Sequence, residues 1–132
     1  MAYSDLREHL KKLEAAGLLR RIQRVINKDT ELHPLVRWQY RGGIPEPERK
    51  AWLFENVTDA KGRRYKFPVV VGALAGNRAI YFTGMGCKTV EEMDEKWKRA
   101  LSQPIPPVVV KDAPCHEEIH IGEDLKHEGL GL

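Results

Sequence analysis

The 132-residue sequence predicts an α/β or α+β domain, a mixed β-sheet flanked by helices. Three observations carry that expectation. Segments of helical and of strand character interleave, without strict alternation, in the order α-β-α-β-β-α-α-β-β. Phe67 to Cys87 reads as a buried strand, a tight turn and a short helix packed back on the strand. Its apolar run Val69–Val70–Val71 enters Gly72, and a second apolar segment closes on Gly84–Met85–Gly86. Thr89 with Glu92 three residues later then forms a capping box ahead of another helix.

From the amino terminus, Ser4 is placed to cap a helix beginning at Asp5, with Asp5 and Glu8 toward its positive end. Leu6, Leu10 and Leu13 recur at helical spacing, and Gly17 is the stop. Leu18 to Ile26 alternates loosely and reads as a strand with an arginine-rich polar face. Asp29 or Thr30 starts a second helix, which tolerates Pro34 in its first turn because that N–H has no helical partner anyway. Leu32, Leu35, Val36 and Trp38 or Gln39 fill this helix, and Gly42–Gly43 ends it.

Ile44 to Lys50 holds two prolines and alternating charge, a loop. Ala51 to Val57 is a strand candidate through Trp52, Phe54 and Val57. Asp59 to Gly62 supplies turn residues, and Arg63 to Lys66 is a polar approach to the Phe67–Cys87 unit. In the capped helix, Val90, Met93, Trp97 and Leu101 share one face, acids fill the first turn, bases fill the last, and Pro104 stops it. Pro104–Ile105–Pro106–Pro107 is stiff and extended and leads into Val108–Val109–Val110. Cys115 to Ile121 alternates like a strand exposed on one side.

Composition narrows the function classes. Hydrophobic residues make up 42% and charged residues 31%, an ordinary soluble profile. No apolar run approaches the roughly 20 residues that span a bilayer. The charged amphipathic start, MAYSDLREHLKK, lacks the apolar core of a signal peptide. Cys87 and Cys115 therefore read as reduced thiols of a cytoplasmic protein. Net charge is +3, with residues 1–66 at +6 and residues 67–132 at −3. Aromatic residues in the basic half do not alternate with the cations as stacking platforms do, so nucleic-acid binding is the weaker expectation beside a solvated basic face.

No catalytic constellation stands out. Cys115, His116, Glu117, Glu118 and His120 form the only cluster of ligand types, yet on a strand His116 and His120 lie about 13 Å apart, too far for one ion. His116 with Glu118 finds no third ligand. Gly72, Gly76, Gly84 and Gly86 match neither GxGxxG nor GxxxxGK[ST]. Asn77–Arg78 opens a helix and suits a cap with a surface arginine better than an anion seat. Cys87 has no base near it, since His9, His33 and the carboxy-terminal histidines are remote in sequence; His33 and His127 show no pattern.

Several stretches together resemble the amino-terminal region of the UbiD-type decarboxylases, which use prenylated flavin mononucleotide. They are Asp5–Leu6–Arg7 with its helix and Leu19–Arg20–Arg21–Ile22; Leu53–Phe54–Glu55–Asn56–Val57; and Pro68–Val69–Val70–Val71–Gly72 with Asn77–Arg78. The capped helix, Pro104–Ile105–Pro106–Pro107–Val108–Val109 and Ala113–Pro114–Cys115–His116–Glu117–Glu118 follow in the family's order.

The resemblance implies an α/β domain over residues 1–111, then a lead-in, 112–132, to a split β-barrel that binds the flavin. It implies reversible decarboxylation of aromatic or α,β-unsaturated acids with prenylated FMN, manganese and potassium, in an oligomeric enzyme. The family's Glu–Arg–Glu network and its metal-binding Asn/His/Glu set fall beyond this sequence. No catalytic, cofactor-binding or metal residue is therefore assigned here, and the chain is expected to be an inactive fragment or small subunit. A separate catalytic partner chain is the alternative.

Overall fold

The computed structural model describes residues 3–114 and residue 121. The chain divides into two compact units, Met1–Leu101 and Ser102–Leu132. The first unit holds a three-stranded mixed sheet, and with the helices this is the expected α/β fold.

Helix α1 spans Leu6–Ala15. Its cap is Asp5 rather than Ser4: the Asp5 carboxylate accepts the Glu8 N–H at 2.7 Å. The helix begins one residue later than expected, which puts Asp5 in reach of that orphan amide. Ser4 instead donates its N–H and hydroxyl to the Glu8 carboxylate, at 2.6 and 2.7 Å. Gly17, at φ +68°, ends the helix; the Leu18 N–H reaches the Leu13 carbonyl and the Gly17 N–H the Glu14 carbonyl. That left-handed step is natural to glycine and turns the chain straight into strand β1, Leu19–Asn27.

Asn27 is a cap that the sequence expectation lacks. Its side chain accepts from the Asp29 and Thr30 N–H groups, opening a π-helical turn, Lys28–Leu32, before helix α2, His33–Arg41. Pro34 sits at the start of α2, and Gly42 ends it. Strand β2, Ala51–Thr58, pairs in parallel with β1, so the π turn and α2 form the crossover that a parallel pair requires. From Ile22 to Val25, β1 advances three residues against two in β2, a bulge. The Asn56 amide donates to the Gln23 carbonyl inside it, at 2.7 Å. The Asp59 carboxylate then accepts from the Lys61 and Arg63 N–H groups and holds the expected turn.

Strand β3, Val69–Val71, runs antiparallel to β2 and is the sheet's other edge. Here the sequence expectation is corrected: the strand is half-buried and three residues long, because only one neighbour covers it. The central position falls to β2, whose first four residues are all buried. Two apolar clusters flank the sheet. Ile26, Leu32, Trp52, Phe54 and Val57 pack with Leu35 and Val36 of α2. Leu13, Ala51, Ala73 and Ile80 pack with Leu10 and Val70.

Helix α3, Arg78–Met85, and helix α4, Val90–Ser102, complete the first seven elements in the expected order. Thr89 accepts the Glu92 N–H at 3.3 Å, and the Glu92 carboxylate reaches the Lys88 N–H at 2.7 Å. The apolar stripe of α4 is open: Trp97 is 47% and Leu101 76% exposed.

In the second unit, Pro104–Val110 has no regular secondary structure. Val108–Val109–Val110 is therefore not a strand; all three valines are exposed, and no described strand pairs with them. The strand expected over Cys115 to Ile121 lies outside the described residues, apart from Ile121, which has no regular structure.

Candidate functional site

The turn between β3 and α3 gathers the densest set of polar contacts. Gly72 takes φ +75°, and the Tyr40 hydroxyl occupies the space where its side chain would begin. The same hydroxyl lies 3.3 Å from where a Gly76 side chain would start. Glycine is needed at Gly72 for two reasons at once, backbone conformation and close approach.

Asn77 follows as the cap of α3. Its carbonyl oxygen accepts the Ile80 N–H at 2.7 Å, and its amide donates to the Arg49 carbonyl at 2.6 Å. The Arg78 N–H donates to the Glu46 carboxylate. The Arg49 guanidinium lies 5.7 Å from the Tyr40 ring centroid, and its Nε donates to the Ile44 carbonyl at 3.1 Å. These groups and Tyr81 border an open cleft of ≈ 410 Å³. The Tyr81 hydroxyl accepts from Trp97 Nε1 at 2.9 Å.

A helix N-terminus attracts anions through its unpaired amides. At α3 two of those amides already have partners, and one partner, Glu46, is itself a carboxylate. The expectation of a cap plus a surface arginine at Asn77–Arg78 holds, since Arg78 is exposed. The cleft can pair charge and hydrogen-bond, but no serine, cysteine or histidine lines it.

Other titratable groups serve the scaffold. Buried Cys87 places its thiol 3.6 Å from the Met85 carbonyl and hydrogen-bonds no described histidine. His33 is exposed. His9 is wholly buried, stacks on Tyr3 with ring centroids 4.5 Å apart, and bonds the Ala73 carbonyl through Nε2 at 2.6 Å. It thereby ties α1 to the β3–α3 turn. The signal was in the helical spacing, which puts residue 9 on the face of Leu6 and Leu13.

Arg21 bridges Glu14 on α1 and Glu55 on β2, at 2.5 and 2.7 Å. Hydrogen bonding from Arg21 holds the Glu14 carboxyl below its usual range, and the two carboxylates raise the Arg21 guanidinium. Among the described residues no three His, Cys, Asp or Glu come together to hold a metal. Cys115, His116, Glu117, Glu118, His120 and His127 lie outside the described residues.

Fold and site together define a small α/β domain whose polar groups hold turns and helix ends. The profile of one family, described as the 3-octaprenyl-4-hydroxybenzoate carboxy-lyase N-terminal domain, matches residues 10–99. That is more than half the chain, and the protein belongs to this UbiD-type carboxy-lyase family through that domain.

Similar solved structures include two of the vanillic acid decarboxylase of Sedimentibacter hydroxybenzoicus in open form. One, with a truncated ShVdcD, is 28% identical with a TM-score of 0.64 over 88% of this chain and 24% of its own. The other is 27% identical with a TM-score of 0.63 over the same shares, 88% and 24%. The chain thus spans about a quarter of the length of the structures it matches.

Proposed function

We propose that the chain is the amino-terminal domain, as fragment or small subunit, of a UbiD-like carboxy-lyase. The parent enzyme reversibly decarboxylates aromatic or α,β-unsaturated carboxylic acids with prenylated FMN, and this domain alone is inactive. The family match over residues 10–99 carries the proposal. It is supported by the likeness to a vanillic acid decarboxylase, whose substrate is an aromatic acid.

The described residues do not fit the flavin or its metals. A helix N-terminus is a favourable seat for a phosphate, and at α3 the Glu46 carboxylate already occupies it. Manganese needs a cluster of oxygen and nitrogen ligands, and no group of three suitable side chains forms among the described residues. We assign prenylated FMN, manganese and potassium to the remainder of the decarboxylase, on the same or a separate chain. Residues 1–111 are the domain proper, 112–132 the lead-in, the full enzyme a cytoplasmic homo-oligomer. No helix described is long and apolar enough to cross a membrane.

A second reading, a non-catalytic subunit docked on a separate catalytic chain, draws on the open stripe of α4, where Trp97 and Leu101 face solvent. One experiment addresses both. Isolated chain, supplied with prenylated FMN and manganese, is assayed for CO₂ release from aromatic acids, alone and with the remaining domains on a separate polypeptide. Release only from the mixture is expected; turnover by the chain alone sinks the proposal.

A further inference from the structure

The first half of the chain is strongly basic, and several of its cations are held by acids. Arg21 meets Glu14 and Glu55, Arg24 meets Glu31, Lys28 meets Asp29, and Arg63 meets Asp59. Arg37 and Arg41 on α2 meet none of the described acids, although they stand one helical turn apart. Trp38 lies between them. Of the three tryptophans, Trp52 is buried and donates to Gln39, and Trp97 donates to Tyr81. Trp38 is 54% exposed, and its indole N–H has no partner among the described residues.

The three side chains line one shallow groove of ≈ 300 Å³ with Pro34 and Gly42. Gly42 is part of the construction. A side chain there would start against the indole and 2.5 Å from the Trp38 carbonyl oxygen, so glycine leaves room both for the indole and for the backbone that closes the helix. Arg41 also suits the negative end of α2, but Arg37 lies a turn further in and gains little from it. The groove contains no lysine, glutamate or aspartate. Tryptophan and arginine are the residues most enriched in binding hot spots, while Lys, Glu and Asp are depleted at interfaces.

From these features we infer that the α2 groove is a docking site for an acidic segment of another protein, its carboxylates on Arg37 and Arg41 and an apolar side chain on Trp38. Charge decides the occupant: two guanidinium forks match carboxylates, and they repel a cationic segment. A protein segment is favoured over nucleic acid because a lone aromatic gives only one stacking platform, and strand binders line up several. The inference rests on the α2 surface and does not depend on the carboxy-lyase reading.

The test uses the whole chain and a labelled probe peptide, rich in Glu and Asp around one Phe, followed by fluorescence anisotropy at low salt. Saturable binding is expected, and it weakens in ~0.15 M salt, where screening shortens to about 8 Å. Arg37→Glu/Arg41→Glu should weaken it at least about tenfold and create binding of a Lys-rich counterpart. Trp38→Ala, which keeps both charges, should weaken it about tenfold. All three positions are exposed, and an unchanged Tm confirms that each variant is folded.

A control, Lys61→Glu/Lys66→Glu, changes net charge equally on an exposed loop and should leave binding intact. Equal loss in the control overturns the inference, as does absence of saturable binding. Tighter binding of a single-stranded oligonucleotide, or self-association abolished by the arginine reversal, overturns it in favour of nucleic acid or a second copy.

Discussion

Gln39 and Trp52 join helix α2 to the central strand: the Gln39 side-chain oxygen accepts the indole N–H of Trp52 at 2.6 Å. The same oxygen accepts the Lys50 N–H at 3.0 Å, and the Gln39 amide donates to the Lys50 carbonyl at 2.9 Å. One buried side chain thereby satisfies three groups at the entry to β2. Gln39→Leu keeps the volume and strands all three. The expected loss is about 2–4 kcal/mol, since each orphaned buried group costs on the order of 1–3 kcal/mol. Urea unfolding measures it; a loss under about 1 kcal/mol would mean that water reaches these groups.

Asn77 does two jobs with one amide, capping α3 through oxygen and gripping the Arg49 carbonyl through nitrogen. Asn77→Asp keeps the cap and loses the grip; Asn77→Ala loses both. Asn77→Ala should cost about 1–3 kcal/mol, cap included, with Asn77→Asp between it and wild type. Equal stabilities for the two variants would show that the Arg49 contact alone matters.

At Gly72, strain from positive φ and collision with Tyr40 can be separated by a double-mutant cycle. Gly72→Ala should destabilise by about 2–4 kcal/mol, of which roughly 1–2 kcal/mol is the left-handed backbone. Adding Tyr40→Phe should recover the steric part and leave the backbone part. A fully additive cycle refutes the close approach, and a Gly72→Ala variant of wild-type stability refutes the turn.

Glu8 carries a pH prediction. Hydrogen bonds from Lys12 first, then from Ser4, lower its carboxyl from 4.5 to about 2. Because the folded value lies below the unfolded one, the stabilisation is complete above about pH 4.5 and fades as pH falls toward 2. Glu8→Gln should therefore flatten the stability curve across that window, with its loss of stability largest at neutral pH and vanishing toward pH 2. The site is exposed, so added salt should shrink the difference. Melting curves at stepped pH, in low and high salt, are the measurement.

Much of this fold was legible from local chemistry. Thr89 and Glu92 announced α4, Gly17 and Gly42 marked their helix ends, and Asn77 was recognisable as a cap because each acts within a few residues of itself. What stayed hidden depends on neighbours remote in sequence. The half-buried state of Val69–Val71 follows from an edge position that three valines cannot reveal. Val108–Val110 has the same composition and no partner strand among the described residues, so identical residues gave two outcomes.

The candidate site divides in the same way. Asn77–Arg78 was visible as a motif, but Glu46, which occupies the end of α3, comes from a proline-flanked loop 32 residues earlier. His9 stands on the leucine face of α1, but its partner, the Ala73 carbonyl, lies 64 residues away and leaves no local signal.

The parallel pairing of β1 with β2 also orders events in time. Leu19 waits 32 residues for Ala51, whereas Phe54 and Val69 are 15 apart, so closing the first loop costs about 0.7 kcal/mol more entropy. On a ribosome β1 emerges first and stays without a partner until the crossover and β2 have followed. Arg20, Arg21 and Arg24 give that waiting strand a repelling charge, which discourages two nascent copies from zipping together. Once β2 arrives, Glu55 neutralises Arg21 and the guard becomes a clasp.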